Sequence, residues 1–212
     1  MGTLVGEHCR QRGPTLPHRD PAPQRGMLPW GERPELAPPL DFSFCCIGSI
    51  EELLRAQPRA GPPPPQPAHA LRLNNNSLGG LGGLTPTLEQ LLVPPAQLRW
   101  LDLSFNRLTA IDPVLTTFRA LRSLQLHGNN IGSLAEVDKL GVLPQLRRLT
   151  LHGNPMEEQR GYRSYVLSLL PHLNSLDFSG VTKQELEDAA NARLQHGKKK
   201  WGGPGHRAHA SE

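Results

Sequence analysis

Arginine is the side chain whose spacing in this chain most suggests binding chemistry. Arg99, Arg122 and Arg147 recur at intervals of 23 and 25 residues. A guanidinium binds a carboxylate through two parallel hydrogen bonds, so three arginines held side by side would present a basic stripe to an acidic partner. Trp100 follows the first arginine and Arg148 follows the last. A tryptophan displayed beside arginines is a common composition of an interface hot spot.

Two interpretations of this stripe remain open. In the first, an acidic helix or acidic peptide of a partner protein lies across the three arginines, with Trp100 as its anchor. In the second, the arginines form a solvated surface and their aliphatic stems pack on the indole. The full set of candidate protein-binding residues is Arg99, Trp100, Phe105, Arg122, His127, Arg147, Arg148 and His152.

Two histidines suggest metal binding, but only weakly. His127 and His152 lie 25 residues apart, so a repeating structure would place their rings on neighbouring strands. Zinc sites in proteins use three or four ligands, and two histidines without a cysteine or carboxylate at suitable spacing are a poor site. We therefore expect no metal and no cofactor.

No motif in the chain indicates catalysis. The glycine-rich stretch at 79–83 lacks the Lys-Ser/Thr pair of a phosphate-binding loop, and neither Gly-x-Ser-x-Gly nor His-Glu-x-x-His occurs. The three cysteines, Cys9, Cys45 and Cys46, include an adjacent pair and do not suit a disulfide framework. We expect no enzyme activity, and reduced thiols in an intracellular protein.

A sequence repeat positions these residues. The pattern L-x-x-L-x-L-x-x-N-x-L occurs clearly three times, more weakly once before, and partly once after. It is the pattern of the leucine-rich repeat, in which each unit stacks on the next. The last copy has Phe178 at its last leucine position and Val181 where the asparagine belongs. The copies begin at Ala68, Leu98, Leu121, Leu146 and Leu173, and the asparagines are Asn76, Asn106, Asn129 and Asn154.

The repeat predicts the architecture. Two leucines of each copy alternate with exposed residues, which indicates short strands that lie parallel on the concave side with their leucines inward. Each asparagine turns the chain and satisfies backbone groups of the adjoining coil, which would cost about 1–3 kcal/mol each if left unpaired. The predicted fold class is α/β: a short leucine-rich-repeat solenoid of about four to five coils, with a parallel concave sheet, helical caps and a disordered N-terminal leader.

The chain divides into four predicted parts. A leader rich in proline and arginine shows little apolar periodicity and is expected to be disordered. An N-terminal cap and a proline-rich linker follow, then the solenoid with its C-terminal cap, and finally a helix with a basic tail. The four parts are residues 1–39, 40–67, 68–180 and 181–212.

Capping boxes predict where two cap helices begin. Ser49 with Glu52 predicts a helix through Arg55 in the N-terminal cap. Thr182 with Glu185 predicts a second helix that reaches about residue 194, with a basic tail after it.

Charge and hydropathy exclude several classes of partner. The formal net charge of +4 is spread along the chain, and no segment has the strongly basic balance of a phosphate-backbone binder. There is no run of ~18 apolar residues and no signal-peptide stretch. We expect no direct contact with nucleic acid, no membrane association, a cytoplasmic location and a monomer by itself.

Several stretches of the chain go beyond the repeat consensus. Those at 102–106, 111–118, 151–158 and 177–183 resemble a family of small cytoplasmic leucine-rich-repeat proteins of vertebrates. The segment 153–177 is similar to the C-terminal cap of a wider subgroup, which includes a regulatory subunit of protein phosphatase 1, a spliceosomal protein and axonemal dynein-associated proteins. The resemblance implies non-catalytic protein binding and names no partner.

The expected function is that of a protein-protein interaction module, a cytoplasmic scaffold or assembly adaptor with an acidic protein partner. The dynein-associated relatives of the cap extend this expectation to cilia and axonemes. The alternative is a regulatory subunit of a phosphatase or a component of a ribonucleoprotein.

Overall fold

The computed structural model describes residues 38–59, 68–92 and 97–199. The expected leader, apart from its last two residues, lies outside the described residues, as do the proline-rich linker at 61–67 and the tail beyond residue 199. Within the described part, none of the helices is both long and apolar enough to cross a membrane.

Seven short strands form one sheet in the order of the chain. The central leucines of successive copies pair directly, Leu71 with Leu101 and Leu124 with Leu149, because side chains at equivalent repeat positions face the same core. The strands are β1 (Leu40–Asp41), β2 (Ala70–Arg72), β3 (Trp100–Asp102), β4 (Ser123–Gln125), β5 (Arg148–Thr150), β6 (Ser175–Leu176) and β7 (Ser179–Gly180). This confirms the predicted solenoid, with one difference: β7 pairs antiparallel with β6.

Each crossover between parallel strands carries a helical segment. The α-helices are α1 (Leu84–Leu91), α2 (Tyr162–Leu169) and α3 (Lys183–Lys199), and 3₁₀ helices span Ile50–Leu54, Pro113–Thr117, Leu134–Val142 and Pro155–Glu158. The glycine-rich stretch at 79–83 leads directly into a helix, since α1 begins immediately after Gly83. That residue takes a left-handed φ of 77° at the helix N-cap, a conformation that glycine adopts without strain.

The core is a continuous column of leucines along the stack. Leu101, Leu124 and Leu126 are fully buried. Because a single coil cannot cover its own apolar side, the neighbouring coils supply the core. Replacing Leu126 with alanine is expected to lower the free energy of unfolding by about 2–5 kcal/mol.

The repeat asparagines fasten one coil to the one before it. Asn106 donates from Nδ2 to the carbonyls of Leu73 (2.9 Å) and Leu103 (3.0 Å) and accepts from the amide of Leu78 (3.0 Å). Asn129 and Asn154 repeat this arrangement one and two coils later. Their structural role is therefore the one that the sequence predicts.

The two predicted cap helices differ from expectation in different ways. At the N-terminal end, Glu52 accepts from the amide of Gly48 (3.0 Å), but the side chain of Ser49 makes no capping hydrogen bond to the backbone, and the segment is 3₁₀ rather than α-helical. At the other end the capping box is complete, with Thr182 and Glu185 bonding reciprocally. The helix α3 then continues past Leu194 to Lys199, so the predicted basic tail begins inside it.

Candidate functional site

The three arginines lie in register. The amide of Arg122 donates to the carbonyl of Arg99 (2.8 Å), and the amide of Arg147 donates to that of Arg122 (2.9 Å). The sheet therefore places them side by side, as the spacing predicts. We call Arg99, Arg122 and Arg147 the arginine row. His69 begins the same column but is buried, with its Nδ1 3.1 Å from the carbonyl oxygen of Gln97, so it adds nothing to the exposed face.

The arginines of this face differ in solvent exposure and in hydrogen bonding. Arg122 is exposed, whereas Arg99 and Arg147 are half-buried. Arg147 also donates to the carbonyls of Pro144 (3.0 Å) and Leu146 (3.1 Å). Arg148 is exposed and lies in the same register as Trp100, through the pairs Trp100–Ser123 and Ser123–Arg148. Among these four arginines, Arg122 and Arg148 are thus the most exposed.

Trp100 is held in place from both sides. Its Nε1 donates to the side-chain oxygen of Gln125 (3.3 Å), and the amide nitrogen of Gln125 donates to Asp102 Oδ2 (3.0 Å), in the amide orientation that satisfies both neighbours. The guanidinium of Arg72 stacks over the indole, 5.6 Å from the ring centroid, a cation–π arrangement. Arg72 was missed at the sequence level, although it occupies the same repeat position as Asp102 one strand earlier.

The two histidines stack. Their ring centroids are 4.7 Å apart and the planes are inclined by 10°. His127 Nδ1 lies 2.8 Å from Thr150 Oγ1, and His152 Nδ1 lies 3.3 Å from Asp177 Oδ1. Burial, and then the neighbouring His152, lower the pKa of His127 below its ordinary value. Each imidazole is therefore fixed by a polar contact at Nδ1, and burial favours the neutral form of His127.

Asp177 ends the parallel hydrogen-bond ladder between β5 and β6. In earlier coils the amide of the last repeat leucine donates to a backbone carbonyl, as Leu126 does to Thr150 (2.9 Å). The corresponding amide of Leu151 donates instead to Asp177 Oδ1 (2.6 Å), which also accepts from the amide of His152 (3.0 Å). The Tyr162 hydroxyl donates to Oδ2 (2.7 Å), and burial together with this carboxylate raises the pKa of Tyr162.

Phe178 corrects an expectation from the repeat. Its place as the last leucine of the fifth copy predicts an inward side chain, yet it is 69% exposed. Asp177 and Phe178 both take left-handed φ values, 51° and 61°, so the chain turns at this point and directs the ring outward. A bulky residue in this conformation costs about 1–3 kcal/mol.

Phe105 and Phe178 flank the stacked histidines. Phe105 is 53% exposed, has a left-handed φ of 52°, and meets His127 edge to face at 5.1 Å. Phe178 meets both imidazoles edge to face, at 5.5 and 5.4 Å. We call Phe105, His127, His152 and Phe178 the Phe/His cluster. The left-handed φ of Phe105 recurs at the equivalent positions Asn75, Gly128 and Gly153, whereas the repeat consensus did not predict the clustering of the rings.

A metal site and a cavity were the other possible functional sites, and neither involves a suitable set of residues in the described part of the chain. Among the described residues, no group of three or more His, Cys, Asp or Glu side chains is arranged to hold a metal ion. A cavity of about 580 Å³ lies where α2 and α3 meet the 3₁₀ helix Leu134–Val142, and it contains none of the sequence-predicted site residues.

Comparison with known proteins adds the family. A family model described as leucine-rich repeat matches residues 92–201. Leucine-rich repeat-containing protein 51 from Macaca mulatta is 54% identical over 155 residues, which are 70% of this chain and 81% of that protein. The human protein of that name is 53% identical over the same shares. The chain belongs to the family of leucine-rich repeat-containing protein 51.

More distant similarities agree with this membership. Leucine-rich repeat-containing protein 23 of Xenopus tropicalis is 40% identical over 93 residues, which are 44% of this chain and 27% of that protein. A crystal structure of the Drosophila melanogaster SNF/U2A′ complex matches with a TM-score of 0.54 and 27% identity, covering 63% of this chain and 73% of the matched chain. The leucine-rich repeat family indicates a protein-protein interaction module.

Proposed function

We propose that this chain is a non-catalytic adaptor of the cytoplasm that binds an acidic segment of a partner protein across its concave face. The observation that carries the proposal is the register of the arginine row beside a fixed Trp100. Because the indole is already hydrogen-bonded and stacked, little conformational entropy is lost when a partner covers it.

The spacing of the row suits a helical partner. Neighbouring strands lie about 4.8 Å apart, and carboxylates on one face of an α-helix recur about every 5.4 Å. An acidic helix lying across the strands would therefore meet the arginines in succession. Exposed ion pairs contribute only about 0.2–1 kcal/mol each, whereas a buried tryptophan anchor contributes about 2 kcal/mol or more. On this account Trp100 supplies affinity and the arginines select an acidic partner.

A pull-down with paired variants tests the proposal. The double variant Trp100→Ala, Arg122→Glu should recover much less of the wild-type partners from cell extract. Arg107→Glu is the matched control, because Arg107 is exposed and lies outside the row. Undiminished recovery by the double variant would contradict the proposal, provided that its circular dichroism spectrum matches that of the wild type.

The proposed role in the cell is that of a scaffold or assembly adaptor in cilia. The resemblance of the C-terminal cap to axonemal dynein-associated proteins supports a ciliary location. The alternative is a phosphatase regulatory subunit or a ribonucleoprotein component, and the similarity to U2A′ in its complex with SNF bears on the second of these. Proximity labelling in ciliated cells distinguishes the two: tubulin and dynein neighbours support the first, and phosphatase or splicing factors support the second.

A further inference from the structure

Two exposed phenylalanines flank the stacked histidines in the Phe/His cluster. Phe105 and Phe178 both leave more than half of the side chain in water. The left-handed φ of Phe105 recurs at the equivalent position of other coils, in Asn75, Gly128 and Gly153, so it belongs to the fold. Neither ring belongs to the leucine core. Two exposed aromatic rings that pack on the same pair of histidines are a reason to look for a binding role.

Most polar atoms around the cluster already have partners, apart from the Nε2 atoms of the two imidazoles. His127 and His152 use Nδ1 on Thr150 and Asp177. Asp177 accepts from two amides and a tyrosine hydroxyl. The cluster therefore presents chiefly ring faces and ring edges, and the matching chemistry is a bulky uncharged side chain, aliphatic or aromatic.

The turn after each histidine leaves this surface uncovered. Gly128 and Gly153 follow His127 and His152, both at left-handed φ. A Cβ at Gly128 would stand 2.7 Å from the Phe105 ring, so the glycine permits that ring to lie over the turn. No side chain from either turn competes for the aromatic surface.

The arginine row and the Phe/His cluster lie at opposite ends of the strands. The arginine row immediately precedes β3, β4 and β5, and His127 and His152 of the cluster lie beyond the carboxyl ends of β4 and β5. Arg122 and His127 are separated by five residues, or roughly 16 Å of extended chain. An α-helix with its side chains is about 10–12 Å across, which is less than this separation, so a single helical partner contacts both surfaces only if the long, exposed side chain of Arg122 spans the remainder.

We propose that the Phe/His cluster is the apolar anchor site of the concave face, and that it receives one bulky uncharged side chain of the acidic partner whose carboxylates face the arginine row. The inference rests on the proposed function and adds the second half of the recognition element. The partner segment is amphipathic, with carboxylates along one edge and an aliphatic or aromatic residue on the other.

A phage-displayed library of random peptides provides the probe, selected on the full chain at about pH 8. The variant Phe105→Ser, Phe178→Ser removes the exposed rings of the cluster. The matched control, Leu54→Ser, Val142→Ser, removes two apolar side chains of comparable exposure, 45% and 51%, outside the concave sheet. Circular dichroism and urea unfolding establish that each variant is folded before binding is measured.

The expected peptides carry carboxylates and, at a constant spacing from them, a bulky apolar residue. They should bind the phenylalanine variant at least about tenfold more weakly and bind the control like the wild type.

The remaining outcomes separate the two proposals. Acidic peptides without an apolar preference, which bind the phenylalanine variant normally, overturn the anchor site and leave the proposed function standing. Peptides with an apolar residue that ignore the Trp100→Ala, Arg122→Glu variant overturn the acidic partner, and with it the single partner spanning both surfaces. A selection that yields no binder to the wild-type chain counts against both.

Discussion

The imidazoles of His127 and His152 lie face to face, with ring centroids 4.7 Å apart. Protonating both would bring two positive charges together in a partly desolvated place. The Coulomb effect of His152 on His127 accordingly acts in the same direction as burial, and both lower the pKa of His127. The stack therefore couples the stability of the concave face to pH.

We predict that the free energy of unfolding falls as the pH is lowered from about 7 to about 5. The pKa of His127 is lowered from 6.5 in the folded protein, so the unfolded chain binds the proton more readily. The stabilisation is complete above the unfolded-state pKa and is lost as the pH falls through the folded-state pKa. Urea unfolding at a series of pH values measures this dependence.

Two variants test whether the stacked histidines cause this pH dependence of stability. His127→Phe should flatten the pH dependence in this range, since it removes one titrating ring of the pair. His172→Gln replaces an exposed histidine and should retain the wild-type dependence. If the free energy of unfolding changed equally with pH in His127→Phe and in the wild type, the stacked histidines would not be the cause of the pH dependence.

Gly128→Ala should be destabilising for two separable reasons. Its φ of 66° is unfavourable for alanine by about 1–2 kcal/mol, and the new Cβ would meet the Phe105 ring at 2.7 Å. In a Phe105→Ala background only the backbone cost remains, so Gly128→Ala should cost less there. Gly132→Ala is the control, because nothing stands within 4 Å of its Cβ. Equal costs of Gly128→Ala in both backgrounds would rule out the steric contact.

Asn129→Ala should lower the free energy of unfolding by about 1–3 kcal/mol, because it leaves the buried amide of Leu108 without a partner and removes one of the two asparagine donors from each of the carbonyls of Leu103 and Leu126. The adjacent Asn130 is exposed, and its replacement by alanine should change stability by less than about 0.5 kcal/mol. Thermal or urea unfolding compares the two, and similar losses would contradict the assigned role.

Asp177→Ala should cost about 2–4 kcal/mol, because it removes the acceptor of the Leu151 and His152 amides. Tyr162→Phe removes one hydrogen bond to the same carboxylate and should cost about 1 kcal/mol. Asp138→Ala, which loses only an exposed bond to the Tyr165 hydroxyl, serves as the control. If Asp177→Ala were no worse than Asp138→Ala, the carboxylate would not be closing the ladder.

The sequence repeat was sufficient to predict how the coils stack, because the same packing requirement recurs in each coil. Every buried leucine such as Leu124 and every asparagine such as Asn106 meets the same demand, that one coil must cover and pair with the next. The side-by-side placement of Arg99 and Arg122 follows from the same register. These features could be predicted without any knowledge of the partner.

The rest depends on conformations that the repeat does not encode. At Asp177 and Phe178 the ladder ends, and two left-handed residues redirect an expected core side chain outward. The helix α1 forms in the longest interval between asparagines, where glycines before it obscure the helical pattern. The contact of Arg72 with Trp100 joins strands β2 and β3. It becomes apparent only when the two strands are aligned in register.

Site-specific photocrosslinking in cells tests the concave binding face most directly. A photoreactive phenylalanine analogue placed at Phe105 or at Arg122 should crosslink the same partner protein. The analogue at Val142, which is exposed at the end of a crossover helix, should not. Crosslinking of a partner from Val142, with none from Phe105 or Arg122, would contradict binding through the concave face.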